Sequence, residues 1–153
     1  QAALQEFEKR NTTVIGASCD TNEVHFAWLN TARDNGGIEG VTYPLLADTT
    51  RNLSAALDIL DAEWVYNEEV NDEILEGSNV TFRATYLIDE EGKIFHESVN
   101  DMPLGRNVNE YLRLIDAYTH VQTKGEVCPA NWEEGKEAMS ADRNSTAAYL
   151  ASH

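Results

Sequence analysis

Apolar and polar residues alternate from Val80 to Ile88. Val80, Phe82, Ala84, Tyr86 and Ile88 fall on one side of an extended chain, and Thr81, Arg83, Thr85 and Leu87 on the other. A period of two fits a strand and not a helix, so this run restricts the fold more than any other stretch. Asp89-Glu90-Glu91-Gly92 is a tight-turn signal, and Lys93–Val99 returns as the partner strand of a hairpin. A helix follows. Asn107 can cap it, with Glu110 placed for a capping box, and Val108, Tyr111, Leu112, Ile115 and Tyr118 recur on one face.

Upstream, Leu4 and Phe7 give residues 1–10 one apolar stripe, as in a helix already in progress, with no N-cap, initiating Met or signal peptide before it. Val14–Cys19 is a continuous apolar run suited to a buried parallel strand. Asp20-Thr21-Asn22 starts a helix over Glu23–Arg33, which Asn35-Gly36-Gly37 ends. Thr42–Ala47 reads as a second strand, and Asp48 and Thr49 cap a short helix over Arg51–Leu57. Residues 61–79 are acid-rich, with Trp64-Val65-Tyr66 as a strand in an exposed hairpin closed near Gly77. After the long helix come Gly125 and Cys128-Pro129, a polar helix from about Glu133, and a tail ending Tyr149-Leu150. The order is thioredoxin-like α/β: a central mixed sheet flanked by helices, which needs a further parallel strand and helix upstream to be complete. Without those strands, Val14–Ser18 would carry unpaired backbone groups. Residues 1–153 alone are therefore expected not to fold.

Composition excludes several function classes. A net charge of −16, from 27 acids against 11 Lys and Arg, repels nucleic acid. No apolar run approaches a membrane span. Cys19 and Cys128 form no C-x-x-C pair, and His25, His96, His120 and His153 have no metal-ligand spacing, so neither metal nor other cofactor is expected. Gly36-Gly37 follows a helix and lacks a phosphate-loop lysine.

Several strings resemble typical two-cysteine peroxiredoxins of the alkyl hydroperoxide reductase C type. They are Val14-Ile15-Gly16, His25–Thr31, Pro44–Asp48, Phe82–Asp89, Val99–Arg106 and, with Val99–Arg106 the most specific, Gly125–Trp132. The resemblance implies a thiol peroxidase acting on hydrogen peroxide and alkyl hydroperoxides. A peroxidatic cysteine becomes a sulfenic acid, and a resolving cysteine of the partner subunit forms a disulfide with it. By matching position Cys128 is the resolving cysteine, Arg83 stabilises the peroxidatic thiolate and the peroxide, and Arg106 is a second arginine near that site. The family's peroxidatic motif, a proline and a Thr or Ser shortly before Cys-Pro, does not occur in these residues, and by alignment it would precede Gln1. Cys19 ends an apolar strand and reads as a buried small hydrophobe. The resemblance further implies a homodimer assembling into rings (a decamer), re-reduction by a thioredoxin-like protein or a flavoprotein disulfide reductase, and a cytoplasmic location. Residues 1–124 would be the core, incomplete at its N-terminus, and 125–153 a resolving-cysteine arm and tail. The competing reading is a non-catalytic remnant or a ring-forming holdase.

Overall fold

The computed structural model describes residues 1–152, so His153 lies outside the described residues. In chain order the elements are α1 (Leu4–Lys9), β1 (Gly16–Ser18), α2 (Asn22–Leu29), a 3-10 turn (Arg33–Asn35), β2 (Leu45–Ala47), α3 (Asn52–Ala56), β3 (Leu60–Asn67), β4 (Asp72–Thr81), β5 (Arg83–Ile88), β6 (Ile94–Asn100), α4 (Val108–Lys124) and α5 (Arg143–Ser152). The architecture is thioredoxin-like α/β. Its parallel and antiparallel components form three two-stranded ladders: β1 with β2 in parallel, β3 with β4 and β5 with β6 antiparallel.

The first strand–helix–strand unit forms as expected, with shorter elements. β1 and β2 pair from Gly16↔Leu45 to Ser18↔Ala47, and Val14 and Ile15 lie outside the ladder. Thr21 caps α2 by accepting from the Val24 amide. The helix stops at Leu29 and not at Arg33, because the Asn30 amide and the Thr31 hydroxyl take the Phe26 and Ala27 carbonyls. Asp48 reaches past its own turn to hold the start of α3: its carboxylate accepts from the Leu53 and Ser54 amides and the Ser54 hydroxyl.

Two expectations about the hairpins are corrected. The acidic hairpin turns at residues 68–71, where the Asn67 side chain accepts from the Glu69 and Val70 amides, and not near Gly77. Gly77 instead lies within β4 opposite Ala62, at φ 142°. Val80–Ile88 is not one strand. The chain leaves β4 at Phe82, whose amide donates to the Ile59 carbonyl, and enters a different ladder at Arg83. The buried side of β5 is also the opposite of the apolar-looking one. Leu87 is buried, while Ile88 is 58% exposed.

α4 decides this. Its Tyr111 and Ile115 form the core cluster with Leu87, flanked by Phe7, Phe95 and Leu114. Phe95 stacks on Tyr118 at 3.9 Å between ring centroids. Arg10 forks onto Asp116, with Nε 2.7 Å and Nη2 3.0 Å from its two oxygens, and ties α1 to the same helix. Asn107 caps α4 through the Asn109 amide. The expected capping box does not form, because Glu110 pairs with Arg113 one turn on. Beyond Gly125, residues 133–136 make a turn and not a helix, with Gly135 at φ 87°. The last helix starts later, at Arg143, where the Asp142 carboxylate accepts from the Asn144 and Ser145 amides. Tyr149 and Leu150 belong to it.

Candidate active site

Arg83 opens β5 opposite Asn100, the last residue of β6. The loop after β6 folds back over this end of the hairpin. Asn100 donates to the Gly105 carbonyl, Arg83 Nε donates to the Met102 carbonyl at 3.1 Å, and Arg106 Nη1 donates to the Ala84 carbonyl at 3.0 Å. Each arginine thus binds main chain of the segment that carries the other. The two residues that the sequence singled out 23 positions apart meet at one end of one hairpin.

Both guanidinium groups are exposed, and among the described residues neither lies within ion-pairing distance of a carboxylate. In a chain with 27 acids this is a specific arrangement. A main-chain carbonyl fixes each side chain through one donor and leaves its charge uncompensated, so the remaining N–H groups can meet an anion.

Cys128 lies elsewhere, against the middle of α4, with Sγ 3.8 Å from the Ala117 carbonyl. No hydrogen bond joins it to Arg83 or Arg106. Its thiol is half-buried, and burial pushes its pKa up; the nearby Arg113 charge opposes that shift, and Glu126 adds to it. Cys128 is held in place by groups the sequence reading did not identify. Arg113 Nη1 donates to the Trp132 carbonyl at 3.0 Å, and Trp132 is 2% exposed. The Glu110–Arg113 spacing of three was the available signal for an ion pair, but nothing in it points to a main-chain partner nineteen residues on.

Cys19 is half-buried and not fully buried as expected. Its sulfur is 3.7 Å from the Ser54 hydroxyl, and among the described residues no arginine or lysine hydrogen-bonds it. Both cysteines are free thiols. The described residues contain no cluster of three or more His, Cys, Asp or Glu able to hold a metal. None of their helices is long and apolar enough to cross a membrane.

Residues 1–97 match the AhpC/TSA family, and residues 117–152 match the C-terminal domain of 1-Cys peroxiredoxin. Alkyl hydroperoxide reductase C of Helicobacter pylori is 40% identical over 147 residues, covering 96% of this chain and 67% of the relative. The mitochondrial thioredoxin-dependent peroxide reductase of Drosophila melanogaster is 37% identical over 98% of this chain and 59% of its own length. The reduced 2-Cys peroxiredoxin of Plasmodium vivax superposes with a TM-score of 0.85 at 36% identity, covering 98% of this chain and 70% of that one. The chain thus spans about two thirds of the length of such relatives. With matches of this extent on both sides of the arginine pair and across the Cys128 segment, the chain belongs to the AhpC/TSA family of peroxiredoxins, thiol-dependent peroxidases.

Proposed function

We propose that Cys128 is the resolving thiol of this peroxidase, and that Arg83, assisted by Arg106, stabilises the peroxidatic thiolate and the peroxide oxygens. The convergence of two carboxylate-free guanidinium groups on one end of the β5–β6 hairpin carries this reading. A thiolate attacking a hydroperoxide forms an S–O bond as the O–O bond breaks, giving a sulfenic acid and releasing an alkoxide or hydroxide that takes a proton to leave as alcohol or water. Negative charge therefore develops on oxygens and leaves sulfur, and fixed N–H donors aimed at it lower the barrier. Cys128 then attacks the sulfenic acid, forming a disulfide and releasing water. Two electrons from an external dithiol restore both thiols.

The 153 residues do not contain the family's peroxidatic motif, and among the described residues no arginine or lysine hydrogen-bonds Cys19, whose sulfur meets the Ser54 hydroxyl. The peroxide-reacting thiol in this reading comes from protein outside these residues. Residues 1–124 serve as core and 125–153 as the arm that delivers Cys128. The arm serves the partner subunit of a homodimer, itself built into a ring. The reductant is a thioredoxin-like protein, as the name of the Drosophila relative says of that protein, or a flavoprotein disulfide reductase. The cytoplasm, kept reducing, suits two free thiols.

The test is a non-reducing gel and intact mass after one equivalent of peroxide. The expected product is a dimer that dithiothreitol separates and that Cys128→Ser does not form. A thiol-sensitive dimer persisting in Cys128→Ser, or no peroxide consumption with a dithiol reductant, would overturn the assignment.

A further inference from the structure

The segment after α4 is fastened to that helix on both sides of Cys128. Before the cysteine, Glu126 meets His120 Nε2 at 2.7 Å. After it, Trp132 is nearly fully buried, with its ring 4.9 Å from the His120 ring. The Trp132 indole N–H donates to the Lys136 carbonyl at 3.1 Å, and Val127 and Met139 exchange main-chain hydrogen bonds. The charged fastening is Arg113. Its Nε and Nη2 each lie 2.7 Å from one oxygen of Glu110, which fixes the plane of the guanidinium. Nη1 is thereby aimed at the Trp132 carbonyl. Cys128 sits between the fastenings with its sulfur turned toward α4. Closing a disulfide brings two sulfurs to roughly 2 Å, so a half-buried sulfur facing α4 gains access to a sulfur on another subunit when the segment lifts.

We propose that Arg113, oriented by Glu110, is a positioning residue that clasps residues 126–139 onto α4 and sets how often the Cys128 thiol becomes available. This role is separate from that of Arg83 and Arg106. Arg113 touches neither peroxide nor the sulfenate, and it acts through Trp132. Its significance for turnover rests on Cys128 being the resolving thiol. The clasp itself does not.

The two effects of Arg113 on Cys128 have opposite signs and can be separated. Its charge favours the thiolate, so losing it shifts the pH inflection of thiol reactivity upward and slows reaction below that inflection. Its hydrogen bond keeps the segment closed, so losing it raises the plateau rate reached above the inflection. The experiment is labelling of the reduced full protein with 4,4′-dithiodipyridine across pH, with Cys128 and Cys19 followed separately by peptide mass. Arg113→Gln is expected to raise the Cys128 plateau rate about tenfold, the factor that follows from losing one charge-assisted hydrogen bond. Arg113→Lys keeps the charge but not the fork, and should raise the plateau with less shift of the inflection. Cys19 should label at the wild-type rate in both. An unchanged Cys128 plateau in both variants overturns the clasp. So does a parallel rise at Cys19, which would mean general loosening. Labelling reports opening whether or not Cys128 resolves, and the peroxide-induced dimer reports resolution, so the two readings fail separately.

Discussion

Arg83 and Asp48 are both held by hydrogen bonds, with opposite consequences. Arg83 spends one donor on the Met102 carbonyl and keeps its charge available, whereas Asp48 accepts three hydrogen bonds and is consumed by the structure. Arg83→Gln should therefore leave the fold intact and lower the rate of peroxide-driven thiol oxidation by about a hundredfold, the typical cost of removing a donor to a developing oxyanion. Arg83→Lys should recover only part of that loss, since a lysine ammonium lacks the planar fork. Stopped-flow measurement of peroxide oxidation checks both. Burial by itself would push the Asp48 carboxyl up. The hydrogen bonds from Ser54 and Leu53 and the Arg51 charge outweigh it, and the net pKa is below the ordinary value of 3.8. Folding therefore favours the ionised form. Its contribution is complete above the unfolded carboxyl's pKa, and is lost as pH falls through the lowered folded value. Asp48→Ala leaves two amides and a hydroxyl in a buried corner without their acceptor. It should cost roughly 1–3 kcal/mol near neutral pH, and less in acid, by urea denaturation at several pH values.

At the scale of elements, the β3–β4 hairpin depends on one backbone position. A Cβ on Gly77 would lie 2.4 Å from the Asp61 carbonyl oxygen and 2.6 Å from the Ala62 Cα. These are main-chain atoms of the facing strand, and they cannot swing aside. With φ 142° the residue also occupies a region that only glycine visits readily. Gly77→Ala should weaken the hairpin by roughly 2–3 kcal/mol, combining strain and overpacking. Amide exchange over residues 60–81 should accelerate while β5–β6 keeps its protection, and uniform acceleration everywhere would contradict this local account. The same elements show what sequence patterns carry. α4 was legible because its cap, its stripe of Tyr111 and Ile115 and its terminal Gly125 all agree. The alternation over Val80–Ile88 correctly gave extended chain. It did not say which side is buried or where the strand ends, because Leu87 is buried by α4, distant in sequence, and the chain changes ladders at Phe82. Arg83 and Arg106 were identified by resemblance. Their meeting depends on main-chain carbonyls at Met102 and Ala84, for which no side-chain pattern exists. The Trp132 carbonyl that receives Arg113 is invisible in sequence for the same reason.

For the molecule as a whole, the distribution of apolar surface governs behaviour. Among the described residues the buried apolar side chains are Ile59, Leu87, Tyr111, Ile115 and Trp132, of which Leu87, Tyr111 and Ile115 form one cluster, while Ile15 is 64% and Leu46 47% exposed. The three ladders do not merge, so each keeps two free edges, and a two-stranded ladder by itself is at best marginally stable in water. The ordering entropy of a chain of this size needs a larger continuous core to offset it. The charge of −16 adds self-repulsion, which salt screens over a Debye length of about 10 Å at 0.1 M. A polypeptide of residues 1–153 alone in solution should therefore give a broad, low-enthalpy thermal transition and bind a hydrophobic dye at room temperature. Salt should sharpen the transition only modestly, because screening removes repulsion without supplying core. Differential scanning calorimetry with dye fluorescence is the measurement. A sharp transition with equal calorimetric and van't Hoff enthalpies, and no dye binding, would mean that α4 and the β5–β6 hairpin hold the chain by themselves. The exposed positions at Ile15, Leu46 and Ile88 would then be ordinary surface and not surface that other protein covers.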